Sequence, residues 1–264
     1  MNDGIDKSLD RFMRLTQKSK VAVIVPLYGY WKDIQDNPVN AEVLHLILQR
    51  LYSNVHQLYI VFVACPDSLE KPVADILISK SRAGNTVNVP VKREDSYVHY
   101  IEEGLIAALE TEAQYVIVLN PWVLIQDGAI DTMVDRVNYG DDAKIISGYN
   151  IIELLRKEGN EDFDSYQPQT PYEERDLAFD FLGMPRYVAE MLEFDKAYTT
   201  HKYLERDVWQ RMYQRGFEVI TSNRVPIFPF EFPWAEYESE GARALDEQHF
   251  VNKWRFSPGI KQDI

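Results

Sequence analysis

The sequence predicts an α/β fold, a single domain built on a mixed, mostly parallel sheet flanked by helices. Two observations carry this. The apolar, largely β-branched runs at residues 21–25, 58–64 and 115–119 lack the polar alternation of a sheet with one wet face, so each suits a strand covered on both sides. Segments with helical spacing lie between them, giving β-α-β-α alternation over the first 150 residues.

Taken in order, residues 8–15 read as a short amphipathic helix with Leu9, Phe12 and Met13 on one face. The first strand follows and is stopped by Pro26. Residues 38–52 carry helical spacing at Val43, Leu44, Ile47, Leu48 and Leu51. A buried strand at 58–64, a helix at 71–81 and a short strand at 85–91 come next. A helix at 97–113 leads into the strand 115–119, ended by Asn120-Pro121, and then a helix to Val137 and a strand from Lys144. Residues 158–174, with Gly159, Pro168 and Pro171, read as a loop or lid. A helix over 203–215 ends at Gly216, in the position of a C-cap glycine, before a strand at 217–220. Residues 226–234 are too proline-rich for a central strand and are expected to wrap as an extended aromatic arm. The expected organisation is therefore a helical extension at 1–19, the α/β domain at 20–225 and a C-terminal arm at 226–264.

Composition excludes some functions. A formal net charge of −14 argues against nucleic acid, which needs a surplus of Lys and Arg to displace counterions. The single cysteine, Cys65, rules out an intramolecular disulfide and reads as a buried small hydrophobe. No apolar run approaches the roughly 18 residues needed to span a bilayer, and the first twenty residues are too polar for a signal peptide. The expectation is a cytoplasmic protein. His45, His56, His99, His201 and His249 show no metal-like spacing, and no phosphate-loop or dinucleotide glycine motif occurs.

Four segments, read together, resemble the family 2 glycosyltransferases of GT-A fold. Val21-Ala-Val-Ile-Val-Pro-Leu-Tyr28 is similar to the opening strand ending in Pro-x-Tyr. Tyr115-Val-Ile-Val-Leu-Asn-Pro-Trp122 resembles the strand into the metal-binding motif, and Asp127-Gly-Ala-Ile the helix start after it. Glu193-Phe-Asp, then Tyr203-Leu-Glu-Arg-Asp207, Arg211 and Gly216-Phe, resemble the late acidic motif. The resemblance spans roughly residues 20 to 230. It implies transfer of a sugar, with inversion, from a nucleotide-sugar donor (UDP-linked donors among the candidates) to a glycan or other acceptor. A divalent cation, Mn or Mg, would stabilise the leaving diphosphate as a Lewis acid, and a carboxylate would deprotonate the acceptor.

The resemblance places the base at Glu205, with Asp207 and Arg211 in support. Pro26, Tyr28, Asp67, Asn120 and Trp122 would line the donor site. Glu205 is expected at the start of its helix, where the dipole favours a carboxylate; Glu205 and Asp207 could equally serve only to cap it. Trp122 stands where the family has a metal-ligating carboxylate, and an indole cannot bind a hard cation. Asn120 keeps an amide oxygen, a poor substitute. The uracil-contacting Asp falls near Cys65, and the late metal-ligating His near Phe230. No metal ligand is assigned and the cofactor stays open. Trp122 would either stack on a base or sugar or plug the site with hydrophobic surface. The alternative function is a catalytically silent GT-A domain that binds a nucleotide, a glycan or a protein, the last through the aromatic arm.

Overall fold

The computed structural model describes residues 18–28, 41–81, 85–138, 144–152, 163–164, 166, 173–174, 179–229 and 240–255. The helix expected at 8–15 lies outside these residues, as do most of the 158–174 loop and residues 230–239.

The strands are β1 (Lys20–Pro26), β2 (Gln57–Ala64), β3 (Thr86–Pro90), β4 (Tyr115–Leu119), β5 (Val123–Ile125), β6 (Lys144–Asn150), β7 (Glu173–Glu174), β8 (Phe181–Pro185) and β9 (Glu218–Pro229). The helices are α1 (Ala41–Tyr52), α2 (Lys71–Ser81), α3 (Tyr97–Leu109), α4 (Ala129–Val137), α5 (Arg186–Ala189), α6 (His201–Gln214) and α7 (Glu240–Trp254). One sheet runs β3-β2-β1-β4-β8-β6-β9-β5, with β7 on β9. Its first half is parallel, as expected, and β8 is antiparallel to both β4 and β6.

Burial follows the sequence pattern. Every residue of β1 from Val21 onward is buried, as continuous β-branched runs require. In α1 the buried residues are Leu44, Ile47, Leu48 and Leu51, the spacing of one helix face. Helix α3 lies so close to the sheet that a Cβ on Gly104 would meet Ile24 Cγ2 and, at 2.9 Å, Val63 Cγ2. Glycine is needed there for the close approach of helix to strand.

Two expectations are corrected. The proline-rich segment does enter the sheet: Pro226 and Ile227 pair with Tyr149 and Asn150 of β6, and Ile227, Phe228 and Pro229 pair with β5. A register shift at Gly148/Tyr149 interrupts the β6–β9 ladder just where Pro226 enters, so its missing N–H falls at an irregularity. Pro229 closes the strand opposite the three-residue β5. The second correction concerns the late helix, which begins at His201 rather than Tyr203 and puts Glu205 in its second turn. Among the described residues no helix is long and apolar enough to cross a membrane.

Candidate functional site

The parallel strands β1, β2, β3 and β4 deliver their C-terminal ends to one sheet edge, the edge at which α/β folds take ligands. Pro26 and Tyr28 stand at the end of β1, Asp67 on the 3₁₀ turn after β2, and Asn120 and Trp122 after β4. Pro26, Tyr28, Asn120 and Trp122 are buried and Asp67 is exposed.

Tyr97, at the start of α3, joins them. Its ring meets Tyr28 edge-on at 5.6 Å and lies 6.3 Å from the ring of Trp122. Its hydroxyl lies 3.2 Å from Asn120 Oδ1 and 3.0 Å from Asn120 Nδ2, which donates to it. Tyr100, one turn on, packs edge-on against Tyr28 at 5.2 Å. Neither tyrosine was foreseen. Both stand three or four residues from other buried positions of α3 and read from sequence simply as core.

Asp180 was also not foreseen, and its position follows from topology. Because β8 runs antiparallel to β4, Phe181 pairs with Leu119 and the preceding Asp180 comes to rest beside Asn120. Asn120 N donates to Asp180 O at 2.9 Å. Asp180 Oδ1 accepts from Trp122 Nε1 at 2.8 Å and from Asn120 Nδ2 at 3.3 Å. Trp122 itself is 2% exposed, so its ring is packed rather than presented at the surface.

Glu205 reaches this edge through the same segment. Half-buried on α6, it accepts the Phe179 N–H at 2.8 Å through Oε1, one residue from Asp180. Asp207, two residues further round the helix, points elsewhere and is 0% exposed. It accepts from Arg211 Nε at 2.7 Å, Trp254 Nε1 at 2.8 Å and Tyr198 Oη at 3.4 Å, and pairs with Lys253 Nζ at 2.7 Å. Arg211 also approaches Glu193 at 3.5 Å and Asp195 at 3.6 Å. Asp207 therefore fastens α6 to α7, while Arg211 joins α6 to Glu193 and Asp195 in the segment before it. Capping of α6 falls instead to α7, where Asp246 Oδ2 accepts from the Thr199 and Thr200 amides at 3.0 and 2.7 Å and from Thr200 Oγ1 at 2.7 Å.

Asp195 completes the fastening. Burial pushes its carboxyl up, but hydrogen bonds from Lys253, the Ala197 amide and His249 outweigh that and hold it well below the usual carboxylate range. A depressed carboxyl contributes stability above its unfolded pKa, near 3.9, and loses it as pH falls toward the folded value. Asp195→Asn is thus expected to be less stable than the parent above about pH 4, with the gap closing below it. Urea unfolding at stepped pH checks this, and a gap independent of pH would refute it. Tyr198 is held above the usual phenol range, chiefly by burial and then by the charges of Asp207 and Asp195.

An open cleft of about 270 Å³ at the opposite strand end, lined by Leu51, His56, Leu58 and Thr86 among others, includes none of the candidate site residues. The strand-end cluster lies instead at the edge where α/β folds take ligands.

No family model matches the sequence, and no curated protein matches it. Solved structures do. Over 95% of this chain and 71% of the other, the structure is similar to the mannosyltransferase PcManGT from Pyrobaculum calidifontis in complex with GDP-Man and Mn2+, with TM-score 0.59 and 14% identity. It is similar to GalNAc-T7 with UDP, GalNAc and Mn2+ over 82% of this chain, with TM-score 0.58 and 12% identity. It is similar to S. aureus TarS over 88%, with TM-score 0.54 and 12% identity. The chain spans 44% of GalNAc-T7 and 40% of TarS, less than half of each. At these identities the likeness is one of fold, and the fold is the GT-A fold of nucleotide-sugar glycosyltransferases.

Proposed function

We propose that this protein transfers a sugar from a nucleotide-sugar donor to an acceptor hydroxyl with inversion, and that Glu205 is the general base. The observation that carries this is the hydrogen bond from the Phe179 amide to Glu205. It ties the carboxylate to the segment that brings Asp180 against Asn120 and Trp122. The donor would lie across the ends of β1, β2 and β4, with Pro26, Tyr28, Asp67 and Asn120 around it. Glu205 would take the proton from the acceptor oxygen as that oxygen bonds to the anomeric carbon and the nucleoside diphosphate leaves. The oxocarbenium-like transition state makes the timing of that proton transfer matter.

A second reading is supported by Trp122. A buried indole bonded to Asp180, where the resemblance calls for a free carboxylate, also suits a silent domain that binds a nucleotide or glycan without turnover. Incubation with UDP- and GDP-linked sugars and a mixed glycan acceptor pool, read as nucleoside diphosphate release, separates the two. Acceptor-dependent release from one donor class is the expected result. Binding without release from any donor would leave the silent domain standing.

A further inference from the structure

The comparison structures of GalNAc-T7 and PcManGT contain Mn2+, so the end of β4 can be tested for its fit to such an ion. A hard divalent cation takes several oxygen ligands, carboxylates foremost. Here Trp122 offers only an N–H donor. Both ends of the Asn120 amide are engaged, Oδ1 with the Tyr97 hydroxyl and Nδ2 with Tyr97 and Asp180. Asp180 spends Oδ1 on the indole and the amide, which leaves one carboxylate oxygen. Among the described residues no three His, Cys, Asp or Glu side chains converge as metal ligands. The donor set among the described residues does not fit a divalent cation.

Resting on the donor-site reading above, we infer that nucleoside diphosphate binds this edge independently of divalent cations, the linked side chains of Asp180, Trp122, Asn120 and Tyr97 standing where a cation's ligands would be. The indole N–H occupies the carboxylate oxygen that an ion would otherwise claim, and Tyr97 closes the amide from the other side. Positive charge at the same sheet edge is carried by protein: Lys92 and Arg93 are exposed in the loop after β3, whose end lies beside that of β2. Among the described residues, these two cations follow a strand that ends at this edge, where a bound diphosphate would meet positive charge. Asp180 then contributes negative charge near the phosphates with no ion to offset it. Its removal should leave binding equal or tighter, the opposite of what removing a metal ligand does.

Calorimetric titration of UDP, GDP and dTDP into the full chain, with Mn2+ and then with chelator, tests this, alongside Mn2+ alone. Dissociation constants agreeing within about twofold in the two conditions, and no saturable heat from Mn2+, are expected for the nucleotide that binds. Asp180→Asn keeps an oxygen for the Trp122 N–H, so its fold should persist (checked by circular dichroism), and it should bind that nucleotide no more weakly. Binding tightened about tenfold or more by Mn2+ in the parent, and lost in Asp180→Asn, would overturn the inference, make Asp180 a cation ligand and leave the donor-site reading intact. If no nucleotide binds in either condition, the donor-site reading fails and the inference fails with it.

Discussion

Glutamine in place of Glu205 is expected to lower sugar transfer by about 10²–10⁴-fold, the contribution of a positioned general base, while leaving the fold unchanged. Glutamine keeps a carbonyl oxygen for the Phe179 N–H, now 2.8 Å from Glu205 Oε1, so the tether to the Asp180 segment survives. What it loses is the ability to take a proton. The loss should therefore appear in kcat, with KM for donor and acceptor little changed, because the base acts in the transition state and not in ground-state binding. A variant with full transferase activity would remove Glu205 from the base role. A variant inactive only because α6 has shifted would lose nucleotide binding as well, and the titrations described above would register it.

The parallel half of the sheet was legible because its signal is local. Strands β1, β2 and β4 are continuous apolar runs, and α1 shows its buried face at one helical spacing. The other half is held by distant partners. Strand β5 has three residues and β7 two; β8 carries Gly183 and Pro185, and β9 carries two prolines. Apart from residues 217–220 at the start of β9, no window of these segments announces a strand, and pairing to β6 and β5 overrides the local preference of the rest of β9. The candidate site divides the same way. Pro26, Tyr28, Asn120 and Trp122 were readable because each follows a clear strand. Asp180 was not, since its partners lie 58 and 60 residues away and only the antiparallel register of β8 brings them together. Asp207 could be read as a helix cap because nothing in its own helix shows where it points. Two of its partners, Lys253 and Trp254, come from α7, which buries only Asp246 and Phe250 and so carries no apolar stripe to give it away.

That arrangement makes the loss of Asp207 costly to stability. Asp207→Ala is expected to destabilise the protein by about 3–5 kcal/mol, the range for breaking a buried ion pair from one side. The carboxylate is fully buried, with Arg211, Lys253, Trp254 and Tyr198 around it. Alanine leaves the Trp254 N–H with a lost acceptor and two cations facing a void. Asp195 softens the result, because it lies 2.6 Å from Lys253 and 3.6 Å from Arg211, so the value should fall toward the lower end. Asp207→Asn should not rescue: its amide oxygen can keep Trp254, but its NH₂ group then faces the Arg211 Nε–H, donor against donor. Guanidinium unfolding followed by circular dichroism measures both variants, and α7 should become protease-sensitive before the sheet does. A change below about 1 kcal/mol would mean that Asp246 and the apolar contact of Phe250 alone hold α7 on α6, the pair then ranking with a surface ion pair.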